Sequence, residues 1–220
     1  MLPEHEKLSR SERVSGASAS TYLAVVEETN AIGEVADLYD HFRSHFGRQE
    51  VPGILKCFAT HPPLLRHMVD LSASLIFSDG HLSRRHKEMI ATLVSYQNAC
   101  AYCADSHGYL LRVHGGSSET LCAIQQNDLR SDSLTPGEQQ LLGFVRKLNG
   151  ASHEIGKVDI ERLRSAGWSE LQIAEAVHVA ALFAGFNRVA NAFGLKSQEL
   201  LAFYETEGNS GHISMEGGTR

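Results

Sequence analysis

Apolar residues recur at three- and four-residue intervals through most of this chain, and no stretch alternates apolar with polar as a half-buried strand does. The spacing predicts helices almost throughout, so the fold class is all-α. Ala31 to Phe46 reads as one helix, with Ile32, Val35, Leu38, Tyr39 and Phe42 along one stripe. His61-Pro62-Pro63 opens another, because a proline at the first helical position gives up an amide that has no partner there anyway. Leu64, Leu65, Met68, Leu71 and Leu75 follow at helical spacing. Ser117-Ser118-Glu119 begins a short helix. Thr135-Pro136-Gly137-Glu138 is a stronger start, with a capping threonine and a glutamate placed to reach back to the cap amide. Its helix carries Leu141, Leu142, Val145 and Leu148 and is expected to stop at Gly150. Ser169 and Gln172 start a long helix rich in small residues, or a kinked pair, ending at Gly194.

Residues 1–20 are polar and Ser-rich, and residues 206–220 hold four glycines and little that is apolar. Both read as flexible arms around a single domain over 21–205. Inside it, Leu82–Gly108 can be set against Trp168–Gly194 at one fixed offset, which matches Ser83 with Ser169, Ala104 with Ala190 and Gly108 with Gly194. These identities do not separate a duplication from two unrelated amphipathic helices. In such a pairing Phe186, Val189 and Phe193 stand where the first segment has Cys100, Cys103 and His107.

Composition narrows the setting. With 42% hydrophobic and 21% charged residues in 220, the chain can bury one sizeable core. A formal charge of −6 without a basic cluster argues against nucleic acid or an anionic membrane as partner. No apolar run is expected to approach the ~20 residues of a membrane span. The polar start Met1-Leu2-Pro3-Glu4-His5 lacks the apolar core of a signal peptide. Four cysteines (Cys57, Cys100, Cys103 and Cys122) without such a signal fit a cytoplasmic location, where a Cys-x-x-Cys is catalytic or metal-binding rather than structural. Ala180, Ala181, Leu182, Phe183, Ala184, Phe186, Val189 and Phe193 make the last long helix too apolar all round to face solvent, which suggests a homo-oligomer.

On a helix, Cys100, Cys103 and His107 fall within an arc of roughly 60°. Two thiols and a titratable base on one stripe are the parts of a dithiol redox site. The thiolate is the reactive form, and a helix N-terminus or a nearby imidazolium lowers the pKa that controls it. Asn98 reads as the N-cap, with Cys100 in the first turn, where the macrodipole favours negative charge. Zinc could take both thiolates with His107 and His114, but those histidines are not at the usual His-x3-5-His spacing and run straight into Gly115-Gly116. A structural disulfide needs an oxidising compartment. Two buried thiols acting as small hydrophobes leave the histidine's spacing without a reason. Redox chemistry leads, and no metal ligand is assigned. Upstream, Glu88 heads Met89-Ile90-Ala91-Thr92-Leu93-Val94, a segment apolar nearly all round. A carboxylate there is either a surface charge or a partly buried acid with a raised pKa, and position alone favours the surface.

The pattern Glu88-x11-Cys100-x-x-Cys103-x3-His107 resembles the active site of alkylhydroperoxidase D (AhpD)-like proteins, within the carboxymuconolactone decarboxylase superfamily. Ala59-Thr60-His61-Pro62-Pro63, the run Val94 to Cys103, and the run Gly185 to Gly194 resemble its peroxidase-related branch. The resemblance spans roughly residues 25–200. It implies an AhpD-like helical fold with an internal duplication, a catalytic copy around 82–108 and a degenerate one around 168–194, assembled as a dimer, trimer or hexamer. It implies a thiol peroxidase in which Cys103 attacks the peroxide, Cys100 resolves, and His107 with Glu88 relays protons. No bound cofactor is implied; an external dithiol of dihydrolipoamide or thioredoxin type would restore the pair. Tyr102 departs from the pattern, standing where the family's best-known member has a histidine, and a phenol with a pKa near ~10 cannot serve as that base. The rivals are a general thiol–disulfide oxidoreductase, a carboxymuconolactone decarboxylase-type enzyme, which needs no redox cysteines, and a non-catalytic redox-sensing oligomer. Asn187 and Arg188 stay outside the catalytic set, and Cys57 and Cys122 read as buried or incidental.

Overall fold

A computed structural model describes residues 21–207; the arm over 1–20 and the tail beyond 207 lie outside the described residues. Ten α-helices follow in order: α1 (Glu34–Phe46), α2 (Gly53–Phe58), α3 (Pro62–Leu71), α4 (Arg84–Gln97), α5 (Ala101–Val113), α6 (Ser118–Gln125), α7 (Pro136–Ala151), α8 (Lys157–Ser165), α9 (Glu170–Phe193) and α10 (Leu200–Glu207). No strand occurs among the described residues. The start signals resolve into individual hydrogen bonds. Thr135 Oγ1 accepts from Glu138 N at 3.3 Å while Glu138 Oε2 accepts from Thr135 N at 2.9 Å. Ser169 and Gln172 form the same reciprocal pair at the head of α9.

Several boundaries differ from expectation. Helix α1 begins at Glu34, because Gly33 turns at φ 54°, and Ile32 is left 84% exposed. Gly150 lies inside α7, which runs on to Ala151. Helix α10 continues through Glu207, so the tail starts later than residue 206. The shared stop signal fails: Gly108 is in the middle of α5, whereas Gly194 ends α9 in left-handed backbone. Gly108 has a packing reason, since a Cβ there would stand 3.3 Å from Leu201 of α10. The first segment is two helices around a turn; the second is one continuous helix.

That helix, α9, organises the core. Val179 and Phe183 close a large apolar cluster with Ile90, Leu93 and Val94 of α4, Leu121 and Ile124 of α6, and Leu141 and Val145 of α7. Phe186 closes a second with Val35, Tyr39 and Phe42 of α1, Leu55 of α2 and Leu65 of α3. Each such side chain contributes ~1.5–3 kcal/mol when fully buried. The apolar run expected to demand a partner copy is thus largely used inside one chain. By length and composition α9 is also apolar enough to cross a membrane, which corrects the expectation that no run approaches a span; half of that window is buried in this core. A third, small cluster of Cys100, Tyr102, Cys103 and Ala190, with Ile54 and Leu195 against it, completes the apolar interior.

Candidate active site

Helices α4 and α5 run antiparallel, and two contacts fix their register: Glu88 meets His107, and Cys100 N donates to Ser95 O at 2.9 Å. Between them the chain makes a Schellman ending, with Ala99 N donating to Tyr96 O at 3.1 Å and Ala99 itself in left-handed backbone at φ 49°. Asn98 is therefore the C-cap of α4, not the N-cap of α5. Cys100 takes the N-cap position, at φ −94° and ψ 92°. Its sulfur occupies the place where an oxygen usually accepts from the first free amides of a helix.

Both thiols are closed off, Cys100 at 0% and Cys103 at 3% exposure. The Cys103 thiol donates to Cys100, and this bond outweighs burial. Together with the Cys103 and Tyr102 amides and the Asn187 side chain, it lowers the Cys100 pKa to about 7. Cys103 holds the proton of the pair, and that bond together with burial pushes its own pKa up. The pair's first negative charge rests on Cys100, whereas the resemblance gives the attacking role to Cys103.

Glu88, read from position as a surface charge, is fully buried. Oε2 stands 2.6 Å from His107 Nδ1, and Oε1 accepts from Arg84 Nε at 2.7 Å and pairs with Arg84 Nη2 at 2.6 Å. Burial alone would raise its pKa, but His107 first and Arg84 second hold it below the usual carboxylate range. His107 is 14% exposed, lies edge-on to Phe183 at 4.4 Å, and makes no protein hydrogen bond through Nε2 among the described residues. That nitrogen is left for chemistry, one helical turn from Cys103.

Asn187 and Arg188 part company. Asn187 is fully buried against both thiols, 3.1 Å from Ser95 Oγ and 3.0 Å from the Asn98 amide. Arg188 is exposed and donates to Ala184 O of its own helix. Asn98 and Asn149 exchange side-chain hydrogen bonds at 3.2 and 3.0 Å, and Asn191 Nδ2 donates to Asn98 O, so three asparagines brace the turn. Tyr102 is buried with its hydroxyl accepting from Ile54 N at 3.4 Å, which ties the Cys-x-x-Cys to α2 rather than replacing a histidine base. His114 caps the far end of α5, and the charges acting on it are Arg84, Glu88 and Asp79 rather than the thiols. Cys57 is buried, with its pKa pushed up to about 12 by that burial, and Cys122 is exposed. Sequence reading missed Arg84 and Asn187. The first was legible as an i, i+4 partner of Glu88, the second as a lone amide on an apolar helix face.

Residues 62–147, which include all four residues Glu88, Cys100, Cys103 and His107, match the carboxymuconolactone decarboxylase family. The chain carries a domain of that family. No curated protein matches it significantly. Among solved structures, this family domain and the helices around it are similar to the AhpD core of a peroxidase-related protein from Ralstonia eutropha. The TM-score is 0.74 at 26% identity, over 84% of this chain and 96% of that one. A peroxidase-related protein from Silicibacter sp. gives 0.73 at 27% identity, over 85% and 97%. The debrominase Bmp8, solved in complex with 2,3,4-tribromopyrrole, shares the carboxymuconolactone decarboxylase-family fold at 0.69 but only 17% identity, over 84% and 96%. The AhpD-like fold is thus common to proteins whose names differ in chemistry.

Proposed function

We propose that the protein reduces hydrogen peroxide or organic hydroperoxides through a Cys100–Cys103 dithiol–disulfide cycle, in the cytoplasm and with an external dithiol as reductant. One observation carries the reading: a thiol with a pKa of about 7 lies one side of a buried Glu88–His107 pair whose outer nitrogen is uncommitted. A thiolate displaces the distal peroxide oxygen, forming an S–O bond as the O–O bond breaks; the released alkoxide takes a proton, which His107 is placed to supply. The second thiol then attacks the sulfenic sulfur, water leaves and the disulfide closes. Exchange with an external dithiol returns both electrons. Near-complete burial of both sulfurs favours a slim oxidant over a folded protein disulfide, and a slim donor of the dihydrolipoamide type over thioredoxin.

Peroxide turnover with a panel of dithiols, including dihydrolipoamide and thioredoxin, tests the reading. Peptide mapping should recover a Cys100–Cys103 bridge after mild oxidation. No peroxide loss with any donor, or a bridge to Cys57 or Cys122, would reject it. The single serine variants assign the attack: if Cys103→Ser still consumes one equivalent of peroxide, the attacking sulfur is Cys100.

A further inference from the structure

Arg48 is a cation beside this site without an anion of its own. It lies in the link 47–52 between α1 and α2, immediately after Gly47 turns the chain in left-handed backbone at φ 60°. Its guanidinium carbon stands 5.8 Å from the centre of the Phe77 ring, and Arg84 uses the same ring at 4.7 Å. Arg84 is already committed to Glu88. The Arg48 side chain makes no hydrogen bond or ion pair among the described residues, although Glu50 is two positions on. Burial and Arg84 both push its pKa down, and Tyr102, Tyr109 and Glu88 act the other way. Those neighbours bracket Arg48 between the Phe77–Arg84 contact on one side and the Cys-x-x-Cys turn on the other.

Packing does not call for a charge at this position. An aliphatic side chain would cover Phe77 without setting two guanidiniums over one ring, and an unpaired guanidinium forgoes ~1.5–3 kcal/mol of charge-assisted hydrogen bonding. The chain's net charge is −6, so the excess of cation is local. A planar guanidinium with free donors recognises carboxylates in a fixed geometry, and its neighbour Arg84 keeps the rim positive while Glu88 is neutralised from two sides. We propose that Arg48 recognises the carboxylate head group of the molecule that meets Cys100 and Cys103. The owner of that carboxylate is either the hydroperoxide or the reducing dithiol, and this assignment rests on the peroxidase reading. The positive charge at the thiols does not rest on it.

Alkylation reads that charge without any peroxide. Reduced protein is treated with iodoacetate or iodoacetamide, and labelling at Cys100 and Cys103 is followed by peptide mass, with exposed Cys122 as internal control. Arg48→Gln should lower the iodoacetate-to-iodoacetamide rate ratio at the pair by roughly 3–10-fold, Arg48→Lys should restore most of it, and the Cys122 ratio should stay put. An unchanged ratio in a folded Arg48→Gln protein overturns the inference, as does failure of iodoacetate to label the native pair. Two turnover arms then assign the source. A fatty-acid hydroperoxide is compared with its methyl ester, and dihydrolipoate with dihydrolipoamide, in wild type and Arg48→Gln. A preference for the acid that disappears in Arg48→Gln names its owner, and absence of a preference in both arms overturns recognition. A wild type inert to every peroxide rejects the peroxidase reading instead, with the alkylation ratio still standing as its own result.

Discussion

Two buried ionic clusters start from successive residues of α4, and only one of them ends in a reactive group. Lys87 donates to Leu75 O at 2.8 Å and Ser78 O at 2.9 Å and pairs with Glu175 Oε1 at 2.8 Å, which uses all three ammonium hydrogens. Glu175 Oε2 accepts from Leu82 N at 2.6 Å, and Gly80 approaches so closely that a Cβ there would stand 2.1 Å from Oε1. The circuit is closed and clamps the 78–82 loop and α9 onto α4. Glu88 is buried just as deeply, but its circuit passes through an imidazole and stops with Nε2 free beside two thiols. Buried charge marks architecture as readily as chemistry. What separates the two is whether a proton site is left over next to a nucleophile.

Breaking the closed cluster should therefore have the largest effect on stability and little on chemistry. Lys87→Met leaves Glu175 without its counter-charge and is expected to cost ~3–5 kcal/mol in urea unfolding. Thiol alkylation in the folded fraction should be unchanged. Gly80→Ala should act in the same direction with a smaller cost of ~1–3 kcal/mol, because the added methyl displaces the carboxylate. Both Glu175 and Glu88 are held below their usual pKa, against burial, by the cations beside them. Their contribution is therefore complete above the unfolded value of ~4.3 and is lost as pH falls through the lower folded values. Glu175→Gln should flatten that acid limb, and a limb as steep as in the wild type would show that the cluster does not set it.

Breaking the open cluster should do the reverse. His107→Gln is expected to slow peroxide consumption by at least ~10²-fold with no loss of helical circular dichroism, since Arg84 still holds Glu88. The donors that lower the Cys100 pKa are Cys103, two amides and Asn187. The alkylation midpoint should therefore remain near 7 in His107→Gln, and wild-type turnover in that variant would remove the histidine from the mechanism.

The difference between the clusters was only half legible in the sequence. Helical periodicity and capping residues gave the all-α class and several helix starts, because those signals are local. The Glu88, Cys100, Cys103 and His107 spacing was legible because antiparallel packing of two adjacent helices turns sequence separation directly into register. Burial of Glu88 was not, since it depends on Arg84 neutralising it and on α9 covering it. Lys87 passed unnoticed for the same reason: its partners come from a loop and from a helix far along the chain. Asn187 faces the thiols from α9, a placement that no spacing within the segment predicts.

Asn187 allows a finer test within the open cluster. Asn187→Ala removes one donor to Cys100, so the alkylation midpoint should rise from about 7 toward the free-thiol value of ~8.5. At pH 7 the thiolate fraction then falls, and turnover should drop several-fold and recover as pH is raised toward 9. A loss of rate that does not recover at high pH would mean that the amide positions the sulfur rather than ionising it.

The smallest expected effect concerns the turn that carries Cys100. Where the closed cluster needs a glycine it has Gly80, whereas the open site has Ala99 in left-handed backbone. Four other helix ends among the described residues make the same pair of hydrogen bonds, and they use Gly115, Asn127, Gly167 and Gly194. Left-handed backbone costs an L-residue ~1–2 kcal/mol, while glycine gives back ~0.4–1 kcal/mol through a freer unfolded chain. Ala99→Gly should thus raise stability by about 1 kcal/mol or less, a shift of ~2–4 °C in melting temperature at most. The carbonyls of Ser95 and Tyr96 fix the turn whichever residue occupies it, so the Cys100 midpoint and the peroxide rate should stay within about twofold of wild type. A more stable protein with a raised thiol pKa would show instead that the strain at Ala99 holds Cys100 on its cap.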